Sequence, residues 1–205
     1  MVGILVDGKS EYYTLKTMLD PLPIKKVLYC DLQPYASSEQ IAYVASKNIN
    51  ILLRENISKI ILIIDKESRN DCTIDFARSI ESALKNILKD SKLKINVNVV
   101  IKVNKYENWL ISDPYAYKTL TGMFGTSVTS KIIKDIEPNK ADNVDAIQLL
   151  NYLCKGVEFH KMKGAKAICK NFNPDRGGKN SRSLRRLLRL IGHPDYSEQS
   201  KHPIN

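Results

Sequence analysis

The sequence predicts an α/β fold: a parallel, four-stranded, Rossmann-like sheet with flanking helices and a C-terminal helical extension. Short apolar, β-branched runs alternate with longer segments of helical periodicity, which implies strands joined by right-handed helical crossovers. Most of the apolar runs are continuous, which is typical of strands buried on both faces. After residue 114 the strand-like runs stop and only helical segments follow.

Four segments have the composition of strands, and each is followed by a segment with helical spacing. The predicted strands are 2–6 (VGILV), 25–30 (KKVLYC), 59–65 (KIILIID) and 94–103 (KINVNVVIKV). The predicted helices that follow them are 10–20, 37–56, 73–90 and 106–114. Pro21 and Pro23 end the first helix, because proline cannot continue the helical hydrogen bonding.

The rest of the chain is predicted to be helical and basic. Its predicted helices are 126–136, 142–155, 161–171 and 181–191. The stretch 171–183 (NFNPDRGGKNSRS) is rich in Gly, Asn and Ser and predicts a linker before the last helix. We therefore expect an α/β domain over 1–114 and a helical extension over 115–205 that packs on it.

The charge of the chain favours a polyanionic partner. It contains 32 Lys and Arg against 22 Asp and Glu, a formal net charge of +10, and nucleic acid is the simplest such partner. A proteome rich in lysine would be an alternative source of this charge. No apolar run approaches the roughly 18 residues needed to span a bilayer, so we expect a cytoplasmic protein without a membrane partner.

Carboxylates follow three of the four predicted strands. Asp7 ends the first strand and Glu11 lies one helical turn later, while Asp65 ends the third strand. The remaining acidic residues of this set are Glu67, two positions after Asp65, and Glu107, after the fourth strand. Because the carboxyl ends of parallel strands meet at one edge of a sheet, these side chains are expected to converge.

Converging carboxylates repel one another unless a cation lies among them. Mg²⁺ (or Mn²⁺) prefers such oxygen ligands, and we expect Asp7, Asp65 and Glu67 to bind it. A bound ion of this kind can activate water for attack on a phosphodiester. The alternative interpretation is structural, because Asp is common in turns and Glu is favoured in the first turn of a helix.

Basic side chains near the C-terminus are candidates for phosphate binding. Arginine binds phosphate oxygens in a bidentate manner and without base specificity. The candidates are Arg176, Arg182, Arg185 and Arg186, together with Lys9 in the first strand-to-helix loop. The alternative is a solvated amphipathic helix whose leucines pack on the sheet.

Three segments resemble a known family. They are ILVDGKSEYYTL (4–15), IILIIDKES (60–68) and VNKYENWLISDP (103–114). They resemble the Toprim fold of topoisomerases, primases and the overcoming-lysogenization-defect (OLD) nucleases. Within that group they are most similar to DUF4276, a family of small bacterial proteins related to proteins of restriction and phage-defence loci.

The resemblance implies a Mg²⁺-dependent nuclease that acts on DNA or RNA in anti-phage defence, with a separately encoded ATPase as a partner. Its acidic positions correspond to Asp7, to Asp65 with Glu67, and to Glu107. Asp65 and Glu67 would hold the main ion, and Asp7 would hold a second ion or act as general base. Glu107 would complete the set of ligands, and Glu11 would assist.

The sequence departs from the Toprim pattern at two positions. Asp7 stands where Toprim proteins usually have Glu, and Glu67 stands where they usually have Asp. A displacement of about 1 Å can cost about a hundredfold in rate, so a non-catalytic nucleic-acid-binding or regulatory subunit is the alternative function. A phosphatase-type hydrolase is a third, although no Asp-x-Asp motif begins at the first strand.

Overall fold

The computed structural model describes residues 1–57, 59–66, 70–89, 96–155 and 157–196. Its strands are β1 (Val2–Val6), β2 (Ile24–Tyr29), β3 (Lys59–Asp65) and β4 (Asn96–Lys102). They form one all-parallel sheet in the order β2-β1-β3-β4. The predicted α/β, Rossmann-like fold is confirmed.

Helices connect the strands and form the rest of the described chain. The connecting helices are α1 (Lys9–Met18), α2 (Ser38–Arg54) and α3 (Thr73–Leu88). After β4 come α4 (Tyr106–Ile111), α5 (Pro114–Lys118), α6 (Ser130–Ile136), α7 (Ala146–Leu153), α8 (Lys161–Cys169), α9 (Pro174–Asn180) and α10 (Arg182–Ile191). Two 3-10 helices, Ala141–Asn143 and Pro194–Tyr196, lie within this second group.

The sheet is buried on both faces, which is why its strands are continuously apolar. All five residues of β1 are buried. On one face Leu5 and Leu62 pack in a cluster with α2 and α3. On the other, Ile4 and Ile63 share a cluster with α1 and with helices after residue 114, including Leu188 of α10. The C-terminal helices thus help to cover the sheet.

The stretch predicted as a linker, 171–183, contains helix α9, and that prediction was wrong. Asn173 caps the helix by accepting a hydrogen bond from the Arg176 backbone N–H at 3.0 Å, and Pro174 occupies its first turn. Gly177 is packed closely, because a Cβ there would lie 2.9 Å from Oγ of Ser112. The glycines permit close helix packing here rather than flexibility.

The strand register brings three strand ends to one edge of the sheet. Val6 of β1 pairs with Ile63 of β3, and Asp65 pairs with Lys102 of β4. The chain passes from β1 to β2 on one side and then returns to β3 on the other. In such sheets the ligand crevice lies outside the carboxyl ends of the strands where the direction reverses, here between β1 and β3.

Candidate functional site

The carboxylates of Asp7 and Asp65 meet at this reversal point. Oδ2 of Asp7 accepts a hydrogen bond of 2.6 Å from the backbone N–H of Asp65. This bond joins the ends of β1 and β3 and fixes the orientation of the Asp7 carboxylate. The two residues that the sequence predicted to meet are therefore in direct contact.

Glu11 completes a group of three carboxylates. It lies in the first turn of α1 and is buried, because α1 begins at the same edge of the sheet. A Cβ on Gly8 would overlap the carboxylate of Glu11, so glycine at this position lets the side chain fold back toward the strands. One oxygen from each of Asp7, Glu11 and Asp65 lies within 4.8 Å of the others.

Lys102 lies at the centre of this group. Its Nζ is 3.1 Å from Oδ1 of Asp7 and 3.0 Å from Oδ1 of Asp65, and it also forms an ion pair with Glu11. Sequence reasoning missed this residue. The available signal was a lysine ending a strand whose preceding three residues are apolar.

Exposure orders these side chains from the back of the site to its front. The side chain of Lys102 is 1% exposed and that of Glu11 3%, whereas Asp7 is 13% and Asp65 27% exposed. The ammonium therefore neutralises the carboxylates from the buried side. Asp65, and to a smaller extent Asp7, are partly exposed to solvent, from which a cation or substrate can approach.

The electrostatics of the site leave an unbalanced negative charge. Burial raises the pKa of Asp65, Lys102 lowers it, and Asp7 and Glu11 raise it again, so that the pKa is about 7. Burial lowers the pKa of Lys102, but Asp7, Glu11 and Asp65 raise it well above its ordinary value. The lysine therefore stays charged while Asp65 binds a proton near neutrality.

The donor set fits a hard divalent cation. The three carboxylates provide oxygen ligands, and one ammonium does not neutralise their formal charge. Oδ1 of Asp65 is buried and faces the ammonium of Lys102 at 3.0 Å. The Asp65 side chain as a whole is nevertheless the most exposed of the three, which leaves it open to a metal ion from solvent.

The other two acidic residues predicted for the site are Glu107 and Glu67. Glu107 is buried in α4 and lies 3.7 Å from Nζ of Lys161. It lines a cleft of about 640 Å³ together with Asp65, but it is not part of the described carboxylate group. Glu67 lies outside the described residues.

Two of the arginines predicted to bind phosphate have partners within the protein. Arg176 forms a bidentate pair with the buried carboxylate of Asp113, with both N–O distances 2.8 Å. Arg185 donates to the carbonyl oxygens of Gly178 and Lys179 at the end of α9. Phosphate would have to compete with these partners, so the structure gives both side chains a local role.

The other predicted phosphate ligands remain accessible. Arg182 and Lys9 are exposed. Arg186 is exposed as well, although its Nη2 donates to the Val99 carbonyl of the edge strand β4 at 3.2 Å. Lys9 is the first residue of α1 and lies nearest in sequence to Asp7. Their binding to nucleic acid stays a prediction.

A comparison of the chain with models of protein families gives a match. A model described as a domain of unknown function, DUF4276, matches residues 6–191. The chain belongs to the DUF4276 family. The matched region contains Asp7, Glu11, Asp65, Lys102 and Glu107, so the site of this DUF4276 protein lies wholly inside the family domain.

Other comparisons add no further relatives of this DUF4276 protein. No curated protein and no solved structure gives a significant match to the chain. In the ranges that the structure describes, the helices lack the combination of length and apolar character that crossing a bilayer would need.

Replacement of Lys102 by methionine is expected to destabilise the protein strongly near neutral pH. The substitution keeps the length of the side chain but leaves three carboxylates close together without their cation. Losing one partner of a buried ion pair typically costs about 3–5 kcal/mol, and we expect the free energy of unfolding in urea to fall by about that amount.

The matched control is Lys47→Met, on the exposed surface of α2, which should change the unfolding free energy little. The loss caused by Lys102→Met should shrink toward acidic pH, because protonation relieves the repulsion between the carboxylates. A loss equal to that of Lys47→Met at neutral pH would contradict the described ion pairs.

Asp65 is expected to make the protein less stable as the pH rises. Its pKa is about 7 in the folded state and close to 3.8 when unperturbed. From about pH 4 to about pH 7 the unfolded state loses this proton while the folded state retains it, so the unfolding free energy falls with pH. The expected contribution is at most about 4 kcal/mol.

The check is urea unfolding of wild type and Asp65→Asn across this pH range in EDTA. Asparagine cannot titrate, so the variant should show a shallower fall in stability. Asp31→Asn, at an exposed position two residues after the end of β2, should behave like wild type. Adding Mg²⁺ at the alkaline end should stabilise wild type and not Asp65→Asn. Parallel pH profiles for all three proteins would show that Asp65 is not perturbed.

Proposed function

We propose that this protein is a metal-dependent nuclease that hydrolyses phosphodiester bonds in DNA or RNA with Mg²⁺ or Mn²⁺. The observation that carries this proposal is the group of three carboxylates at the reversal point of a parallel sheet. The open cleft beside Asp65 offers space for a polymeric substrate, and the net charge of +10 favours a polyanion.

Asp65 and Asp7 would hold the metal ion, with Glu67, two positions after Asp65 in the sequence, as a further ligand. A bound ion would polarise a phosphoryl oxygen and lower the pKa of a bound water. The Asp65 N–H holds one oxygen of Asp7, and Lys102 holds the other. These contacts fix the Asp7 carboxylate beside Asp65 before any substrate arrives, which lowers the cost of forming the site.

Glu11 and Lys102 act behind the site. The buried Glu11 cannot reach a substrate in the cleft, and its role in this proposal is to hold the ammonium of Lys102 in place. Lys102 keeps the carboxylates close together without a metal, while the Asp65 side chain stays partly exposed and able to bind one. This arrangement replaces the direct catalytic role that the sequence suggested for Glu11.

Glu107 contributes to substrate binding in this proposal. It lies 3.7 Å from the ammonium of Lys161, whose side chain is 60% exposed at the cleft. Lys105 lines the same cleft. The two lysines would bind backbone phosphates on the open side of Asp65, and Glu107 would position Lys161.

The biological setting of the proposal rests on the resemblance to Toprim and OLD nucleases alone. That resemblance supports a cytoplasmic effector or subunit of anti-phage defence with a separately encoded ATPase as a partner. The family's description assigns no function.

A second candidate, a nucleic-acid-binding or regulatory subunit without catalysis, is favoured by Lys102. Its ammonium already lies among the three carboxylates and meets part of the need for a cation. If no metal binds, the network would serve only to join the strand ends.

The proposal predicts cutting of supercoiled plasmid DNA or structured RNA in Mg²⁺ or Mn²⁺ and no cutting in EDTA. Asp65→Asn should lower the rate by about a hundredfold or more, because the variant loses a charged metal ligand. The measurement is the initial rate of substrate loss on gels, with protein purified under metal-free conditions.

Asp31→Asn is the matched control, because Asp31 also lies at the carboxyl edge of the sheet but outside the carboxylate group; its rate should equal that of wild type. Binding of nucleic acid without cutting in any metal would support the second candidate. Hydrolysis of a small phosphate ester but not of nucleic acid would indicate a phosphatase.

A further inference from the structure

Helix α1 carries a stripe of exposed lysines and tyrosines that the proposed catalytic chemistry does not use. The stripe consists of Lys9, Tyr12, Tyr13 and Lys16, all of them exposed. Their spacing of three and four residues places them on one face of the helix. The opposite face packs against the sheet through Leu15 and Met18. We call these four residues the α1 stripe.

Lysines from neighbouring elements extend this surface. The α1 stripe borders a broad groove of about 750 Å³ to which Lys25, Lys26 and Lys170 contribute. Lys26 pairs with Glu55, and Lys25 donates to the Glu55 carbonyl. In the described part of the chain, Lys16 and Lys170 form no ion pair. Asp20 also lines the groove, so the lysines give it an excess of positive charge beside its tyrosines.

The tyrosine rings are open to a partner. Tyr12 is 40% and Tyr13 59% exposed, and their ring centroids lie 4.9 Å apart in an edge-to-face arrangement. Nζ of Lys166, on the adjacent α8, lies 5.5 Å from the centroid of the Tyr13 ring. Exposed aromatic rings among lysines are the combination that binds single-stranded nucleic acid, because bases stack on rings while phosphates meet ammonium groups.

The α1 stripe begins at the carboxylate group. Glu11, which contacts Lys102, directly precedes Tyr12 in the sequence, and Lys9 follows Asp7 and Gly8. The ten residues of α1 extend for about 15 Å away from this edge. A strand lying along α1 would therefore span a few nucleotides and end near the carboxylate edge of the sheet.

We propose that the α1 stripe and its groove bind single-stranded nucleic acid, with bases stacked on Tyr12 and Tyr13 and phosphates bound by Lys16 and Lys170. A duplex is disfavoured because its paired bases are not available to the tyrosine rings. That this strand is also the substrate rests on the proposed function. The inference thus specifies a single-stranded region as the substrate class.

The test is fluorescence anisotropy of a labelled oligothymidylate and of a duplex of equal length, both in EDTA so that no cutting occurs. Wild type should bind the single strand more tightly than the duplex. The double variant Tyr12→Ala/Tyr13→Ala should weaken single-strand binding by about tenfold or more. The matched control is Tyr43→Ala/Tyr152→Ala, which removes two tyrosines, each 59% exposed, on α2 and α7 and should bind like wild type.

A second variant tests the phosphate contacts separately. Lys16→Ala/Lys170→Ala should reduce the dependence of log affinity on log salt by about 0.7 for each lysine. Circular dichroism of each variant shows whether it folds. Equal binding of duplex and single strand would overturn the proposal, as would wild-type affinity in Tyr12→Ala/Tyr13→Ala. Binding of neither probe would also overturn it and would indicate a protein partner for this surface.

The outcomes for the α1 stripe and for the nuclease are distinguishable. Single-strand binding that depends on the tyrosines, together with no cutting in Mn²⁺, would support the α1 stripe and refute the nuclease. Metal-dependent cutting that is lost in Asp65→Asn, together with unchanged binding in the tyrosine variant, would support the nuclease and overturn the α1 stripe.

Discussion

The buried ammonium of Lys102 is the interaction on which the rest of this structure depends. It joins the ends of β1 and β3, the start of α1 and its own strand β4 through ion pairs with Asp7, Glu11 and Asp65. Removing a charged group from water costs several kcal/mol, and a buried pair offsets that cost only when its geometry is good. Three carboxylates around one ammonium meet this condition, because the parallel register brings Asp65 opposite Lys102 at the same edge where Asp7 follows β1. The network therefore specifies the geometry of the edge more than it adds to stability.

The same network explains why the edge is suited to chemistry. Burial, together with the negative charge that one ammonium leaves among three carboxylates, raises the pKa of Asp65, the most exposed member, to about 7. Near neutrality this carboxylate takes up either a proton or a cation. Lys102 and Glu11 lie behind Asp7 and Asp65, so an added cation can approach from the cleft without displacing the lysine. The α1 stripe begins on the helix that carries Glu11, so the proposed strand-binding surface and the carboxylates share one structural element.

The fold, and the meeting of Asp7 and Asp65 in the site, were predictable because they follow from local patterns. Continuous apolar runs identified the parallel sheet, and the parallel sheet in turn identified Asp7 and Asp65 as neighbours. Lys102 was not predictable from composition, since a lysine that ends a strand is usually exposed and only the register shows that it reaches three carboxylates. The role of Arg176 was missed for a similar reason, because its partner Asp113 lies far away in the sequence. Helix α9 was missed because paired glycines suggested a linker, while the Asn-Pro capping sequence that begins the helix was the stronger signal.

The most direct test of this account is anomalous diffraction from crystals of the protein soaked in Mn²⁺. The account predicts an anomalous peak on the cleft side of the site, within coordination distance of the carboxylate oxygens of Asp65 and Asp7, with Lys102 still paired to Glu11 behind it. Carboxylates that remain closed around Lys102, with no peak beside Asp65 at millimolar Mn²⁺, would contradict the claim that this edge of the sheet is a metal site.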